Sequence, residues 1–209
     1  MSDAAQARDD LLLSRLARGD QEAFLTLYRR HQRPLYRYAL HMTGRREAAE
    51  EVVQEVFMVI IRERGKFDPR RGEFAAYLFG IARNHVHRLL EAEGRYQSLP
   101  DEGPDALLAQ AAPLGLAKPD LLDSLVRAQV AEQVRRAVLS LPVRYREVVT
   151  LCDLEEMEYG QAAAILDCPV GTVRSRLNRA RDMLADKLRP SLASRTVARL
   201  SAERAFDTG

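Results

Sequence analysis

From Asp20 to Glu91, and again from Ser124 to Leu188, apolar residues return at steps of three and four, the spacing of one face of an α-helix. Leu, Ala, Arg, Glu and Val dominate, and aromatic residues make up only 6% of the chain. That mix suits helices better than a β-sandwich. The 209 residues are enough for one or two domains with a core that needs neither disulfide nor metal. The fold class that follows is all-α.

The periodicity divides into segments. Residues 20–42 read as a helix capped by Asp20 and stopped by Gly44, with Pro34 as a point of kinking. Residues 46–63 form a second helix, with Ala49, Val52, Val53, Val56, Phe57 and Ile60 on one face. Glu51, Gln54, Glu55, Met58 and Arg62 share the opposite face. A third helix runs from Glu73 to Glu91. Its pattern predicts Phe74, Leu78, Ile81 and Leu89 in the core and Phe79, Arg83 and His87 outward.

The texture changes at residues 95–123, where Pro100, Pro104, Pro113 and Pro119 stand with Gly103 and Gly115. Between Arg95 and Lys118 there are acids but no basic residue, which reads as a flexible, mildly acidic linker. The expected organisation is therefore two small helical domains, at 1–94 and 124–189, joined by the linker 95–123 and followed by a tail at 190–209. Helices are predicted at 124–139, 142–155 and 159–166, with a turn at 167–169 and a long helix over 170–188.

That last helix carries the clearest chemical signal. Val173, Leu177, Ala180, Leu184 and Leu188 make its core stripe. Thr172, Ser175, Asn178 and Arg179 lie on the exposed side, with Arg174 and Arg181 on one flank and Arg176 on the other. No acid occurs from Val170 to Arg181, whereas a merely solvated helix usually pairs its arginines with glutamates one turn away. With the short helix and turn before it, the segment fits a helix-turn-helix whose second helix enters the DNA major groove. Arginine forks suit guanine edges and phosphates; hydroxyl and amide side chains suit both. Thr172, Arg174, Ser175, Arg176, Asn178 and Arg179 are the candidate duplex-reading residues. A helix-turn-helix by itself also fits a repressor that needs no further protein.

At this point the chain resembles a family. LPVRYREVVTLCDLEEMEYGQAAAILDCPVGTVRSRLNRARDML is similar to region four of bacterial sigma-70-type factors of the extracytoplasmic-function (ECF) group. EAAEEVVQEVFMVIIRERGKF, followed by EFAAYLFGIARNHVHRLL, is similar to region two of the same group. Two such motifs in the right order and separation are far more specific than either alone. The chain departs from the usual pattern at Tyr77, where tryptophan is common, at Gly80, where a basic residue is common, and at Asp167, where glycine is common.

The resemblance implies promoter-specific transcription initiation rather than enzymatic catalysis. Core RNA polymerase, promoter DNA and an anti-sigma factor are the implied partners, with no small-molecule substrate and no cofactor. Region two implies polymerase docking through Glu50, Glu51, Gln54, Glu55 and Met58, an acidic face with one apolar anchor. It also implies capture of the single-stranded −10 element by Lys66, Phe67, Arg70, Arg71, Tyr77, Arg83, Asn84 and His87. That surface combines a basic loop with stacking rings. Region four implies −35 recognition by the arginine helix. The tail at 190–209 reads either as an extra helix that docks on a regulator or as a frayed end.

Other classes find little support. Cys152 and Cys168 lack the spacing of a zinc site, and His85 and His87 have no companion ligands, so no metal is expected. No apolar run approaches the ~20 residues of a membrane span. The acidic start MSDAAQARDDLLL lacks the plan of a signal peptide, and the expected location is the cytoplasm.

Overall fold

A computed structural model describes the chain at residues 2–63, 67–94 and 121–206, with side chains over 9–63, 67–70, 72–94 and 130–189. Among the described residues there are eight α-helices and no strand. The front lobe holds α1 (Ser2–Ala17), α2 (Gln21–Thr43), α3 (Arg46–Arg62) and α4 (Phe74–Ala92). The rear lobe holds α5 (Leu121–Leu139), α6 (Val143–Val149), α7 (Tyr159–Leu166) and α8 (Val170–Phe206). No helix among the described residues is long and apolar enough to cross a membrane.

The helix signals of the front lobe act as their chemistry requires. The Asp20 carboxylate accepts from the Glu22 and Ala23 N–H groups and so starts α2. Gly44 ends it with φ 76°, a left-handed turn closed by its N–H on the Leu40 carbonyl. Between these signals α2 runs through Pro34 as one helix. Leu27, Leu35, Tyr38 and Met42 meet Val52, Val56, Phe74 and Leu78 in a core with no exposure.

The N-terminal helix α1 is an element that the sequence pattern did not announce. Its Leu12 and Leu16 are buried in the front-lobe core. Asp9, also buried, is bound by Arg30 and by His31 Nε2, the latter at 2.9 Å, which fastens α1 to α2.

The third helix corrects its predicted face. Phe79, expected outward, is buried against the edge of Tyr38, with ring centroids 5.4 Å apart and planes at 77°. The fully covered stripe of α4 is Phe74, Leu78, Ala82, Val86 and Leu90, while Ile81 and Leu89 are only half-buried. The reason is tertiary. α4 packs on α2 and α3 on one side and on α7 on another, so two stripes are covered instead of one.

The helix predicted over 142–155 also ends early. α6 stops at Val149, and Thr150–Leu154 form one wider π-helical turn, closed by the Glu155 N–H on the Thr150 carbonyl at 2.9 Å. The turn contains Asp153 and is followed by Glu155. Asp153 meets Arg181 of α8, while Glu155 meets Arg37 of the front lobe.

The lobes are packed together by more than this pair. Arg146, buried in α6, donates from Nη1 to the Met42 carbonyl at the end of α2. From Nη2 it reaches the Leu139 and Leu141 carbonyls, at 2.6 and 2.9 Å. One guanidinium thereby serves the orphan C-terminal carbonyls of helices from both lobes. Gly44 lies so near Leu139 that a Cβ there would fall 3.0 Å from Leu139 Cδ1.

Candidate nucleic-acid interface

The bihelical corner is built as its sequence predicts. Glu158 precedes α7, and its N–H donates to Gln161 Oε1 at 3.3 Å. Asp167 ends α7 with φ 52°, a left-handed conformation that aspartate tolerates better than most residues. Cys168 and Pro169 complete the turn, and α8 begins at Val170. Val173, Leu177 and Ala180 are fully covered and hold α8 against the lobe, while Leu184 and Leu188 are half-buried. Gly160 is the second residue of α7.

The opposite side of α8 faces water. Arg174, Ser175, Asn178 and Arg179 are exposed, and Thr172 and Arg176 are half-buried beside them. Two arginines lean on rings: Arg174 lies 5.9 Å from the Tyr159 centroid and Arg179 6.0 Å from that of Tyr145. Stacking on a ring face steadies a guanidinium while its N–H edge remains available. Arg144 lies 4.9 Å from the same Tyr145 ring, adding a cation that the sequence pattern did not mark. Arg181 differs from its neighbours because Asp153 already holds it, at 3.1 and 2.6 Å.

In the front lobe, Phe67 packs edge-on against Phe74 at 5.2 Å and beside Tyr77 at 5.4 Å, so the two candidate stacking rings are neighbours. Tyr77 donates its hydroxyl to Glu63 at 3.3 Å, and burial followed by that carboxylate raises its phenol above the usual range. Asp68 receives the Arg70 N–H and caps a short 3-10 turn, Pro69–Arg71, which sets the exposed Arg70 at the rim. Asn84 lies on the wall of a cleft of about 590 Å³ that Phe67 and Tyr77 also line. Lys66 and the Arg71 side chain lie outside the described residues. Arg83 and His87 sit apart from this rim, at the seam between the lobes, where both meet Glu147.

The acidic face of α3 borders a second feature. Glu50, Glu51, Gln54 and Met58 are exposed and Glu55 is half-buried. Glu51 lies 3.4 Å from His85, and Glu55 3.4 Å from Arg62. Beside them runs a groove of about 680 Å³ between α2 and α3, floored by Phe24, Tyr28, Tyr36 and Phe57. The reading of α3 alone missed its aromatic floor, because those rings come largely from α2. Phe24 and Tyr28 of α2 are both half-buried at the groove.

Among the described residues the fold is two helical lobes, the rear one with a helix-turn-helix and the front one with a ring-lined cleft, an architecture of the DNA-binding class. Comparison with known proteins narrows that class. Residues 27–96 match the family model for Sigma-70 region 2, and residues 131–184 that for Sigma-70, region 4. The chain is 34% identical over 190 residues to the ECF RNA polymerase sigma-E factor of Escherichia coli K12, covering 88% of this chain and 96% of that one. It is 35% identical to the corresponding factor of Haemophilus influenzae, covering 90% of this chain and 98% of that one.

Among solved structures it is similar to CnrH in complex with the cytosolic domain of CnrY. The TM-score is 0.63 at 27% identity, over 88% of this chain and 98% of that one. It is also similar to the sigma factor RpoE bound to the anti-sigma factor NepR from Bartonella quintana. There the TM-score is 0.59 at 25% identity, over 79% and 96% of the two chains. The chain belongs to the ECF RNA polymerase sigma factors of the sigma-70 family. Its work is promoter-specific transcription initiation, with core RNA polymerase and promoter DNA as partners.

Proposed function

We propose that residues 1–94 act as the polymerase-docking and −10-binding domain and residues 124–189 as the −35-binding domain, with 95–123 as the linker and 190–209 as a tail. In the −35-binding domain Thr172, Arg174, Ser175, Arg176, Asn178 and Arg179 meet the duplex. In the −10-binding domain Lys66, Phe67, Arg70, Arg71, Tyr77, Arg83, Asn84 and His87 hold the opened strand. Glu50, Glu51, Gln54, Glu55 and Met58 dock on the polymerase, and the adjoining aromatic groove receives an apolar ridge of the partner.

The observation that carries this reading is the outer face of α8. Arg174, Ser175, Asn178 and Arg179 are exposed together behind a bihelical corner whose inner stripe is buried. A helix held in that way can be driven into a major groove without unfolding anything. The protein acts in the cytoplasm as a regulatory initiation factor and catalyses no reaction of its own. The complex of the RpoE relative with NepR supports control by an anti-sigma factor. Transcription assembled from core polymerase, this protein and fragments of a matching bacterial genome tests the reading: initiation from a defined promoter set is expected. Transcription no different from that of core polymerase alone would remove it.

A further inference from the structure

Tyr145 is the third residue of α6 and is buried, yet two cations lie against its ring. The guanidinium carbon of Arg144, its neighbour in α6, is 4.9 Å from the ring centroid, and that of Arg179 in α8 is 6.0 Å away. Both distances fall within the reach of a cation–π contact. One ring thus gathers arginines from two helices that pack on each other. Of the charged residues in α6, Arg146 and Glu147 are buried and Arg144 is not. Arg146 is engaged by backbone carbonyls, and Glu147 is held by Arg83 and His87 at the seam. Glu147 is the one acid of α6, and α8 has none from Val170 to Arg181, so neither helix sets an exposed carboxylate beside this pair.

Sizes decide what such a cation can meet. An α-helix with its side chains is about 10–12 Å across, and the major groove is about 12 Å wide. Once α8 lies in the groove there is no room for a second helix. A cation on α6, beside α8 and outside the groove, faces the sugar–phosphate wall. Arginine suits that target, since its fork can hold two phosphate oxygens at once. The ring that supports Arg144 also supports Arg179, much as Tyr159 of α7 supports Arg174.

We propose that Arg144 is a further DNA contact, gripping a backbone phosphate at the edge of the groove that α8 occupies. Tyr145 is the shared support that holds Arg144 in register with Arg179. The contact fixes the depth and angle at which α8 sits and reads no base. This inference rests on the assignment of α8 to duplex DNA.

The test uses the full chain and a fluorescently labelled duplex cut from a promoter that the holoenzyme transcribes, with anisotropy followed over a range of salt. Each phosphate contact steepens the fall of log affinity with log salt by about 0.9. Arg144→Ala should flatten that slope by about 0.9 and weaken binding about tenfold at low salt. The loss should be equal for the promoter duplex and for one mismatched in its upstream element. Arg144→Lys should keep the slope, and Tyr145→Leu should weaken binding where Tyr145→Phe does not. Circular dichroism reports whether each variant is folded. If Arg144→Ala keeps the wild-type slope while Arg174→Ala weakens binding, the phosphate contact is overturned and the recognition helix stands. An unchanged slope with lowered affinity for core polymerase would overturn it too, and would place Arg144 on the polymerase. If Arg174→Ala with Arg179→Ala binds as the wild type does, the assignment of α8 itself fails and the contact with it.

Discussion

Arg37 and Glu155, 118 residues apart in the chain, form a two-pronged ion pair across the lobes, at 3.0 Å from Nε and 2.6 Å from Nη2. The arginine is half-exposed, but the glutamate side chain is only 2% exposed. Glu155 directly follows the π-helical turn at Thr150–Leu154. Together with Glu147 and Arg146 it adds polar contacts to a seam that is also packed by apolar residues of both lobes.

The exposed arginines of α8 should differ in what their loss does. Arg174→Ala or Arg179→Ala should weaken binding to the upstream promoter element by about 1–3 kcal/mol each if a base edge is read. Arg181 is already engaged by Asp153. Its alanine variant should lose little discrimination between sequences and mainly loosen the contact between α8 and the π-helical turn. Competition binding with matched and mismatched duplexes separates the two behaviours. Equal specificity in all three variants would remove the assignment of the recognition face.

Docking on the polymerase should depend on the rim and floor of one groove. Met58 is 42% exposed beside Phe57 and Tyr28, whose rings lie 4.8 Å apart. Met58→Ala should weaken polymerase affinity by about 1–2 kcal/mol, as an apolar anchor does. Glu51→Lys with Gln54→Lys should slow association and make its rate less dependent on salt. Surface-immobilised core polymerase gives both numbers.

Two glycines should respond in opposite directions. Gly44 has a left-handed backbone, and its added Cβ would crowd Leu139, so Gly44→Ala should destabilise the protein by about 1 kcal/mol or more. Gly160 is helical and a Cβ there meets nothing within 4 Å. Gly160→Ala should stabilise by about 0.5–1 kcal/mol through the unfolded state. Urea midpoints at constant m-value measure both.

The seam should also respond to pH through groups of opposite sign. Burial, then Arg135 and Arg37, holds the His41 imidazole below its usual range. Its contribution is therefore present above the unfolded value of about 6.5 and lost as pH falls through the folded one. Glu147 behaves likewise at lower pH, with its contribution lost below the ordinary carboxylate range. Glu155 runs the other way. Burial raises its carboxyl more than Arg37 lowers it, so protonation as pH falls relieves a buried charge. The difference in urea midpoint between the wild type and His41→Gln should change between pH 7 and the folded His41 value. A difference independent of pH would mean that His41 titrates alike folded and unfolded.

Much of the fold could be read from local rules because local rules produce it. Asp20, Gly44 and Asp167 act through hydrogen bonds and backbone preferences that span four residues or fewer. The stripes of α3 and α8 repeat within one helix, so Val52 and Val56, or Val173 and Leu177, declare their face unaided. The exposed arginines of α8 were legible for the same reason. By contrast, α1 shows little more than Leu12 and Leu16 one turn apart, too short a stripe to stand out. The inward turn of Phe79 needs Tyr38 to be placed first.

The amino-acid sequence by itself determined α2, α3 and α7, the helix ends at Asp20, Gly44 and Asp167, the bihelical corner and the cationic outer face of α8, since each depends on neighbours within a turn or two. Only the tertiary structure decided that Arg83 and His87 face Glu147, that Arg37 finds Glu155, and that α2 supplies the aromatic floor beside Met58. Those contacts join residues tens of positions apart. Their geometry follows from how helices pack and from one wide turn, and helical periodicity carries no information about either.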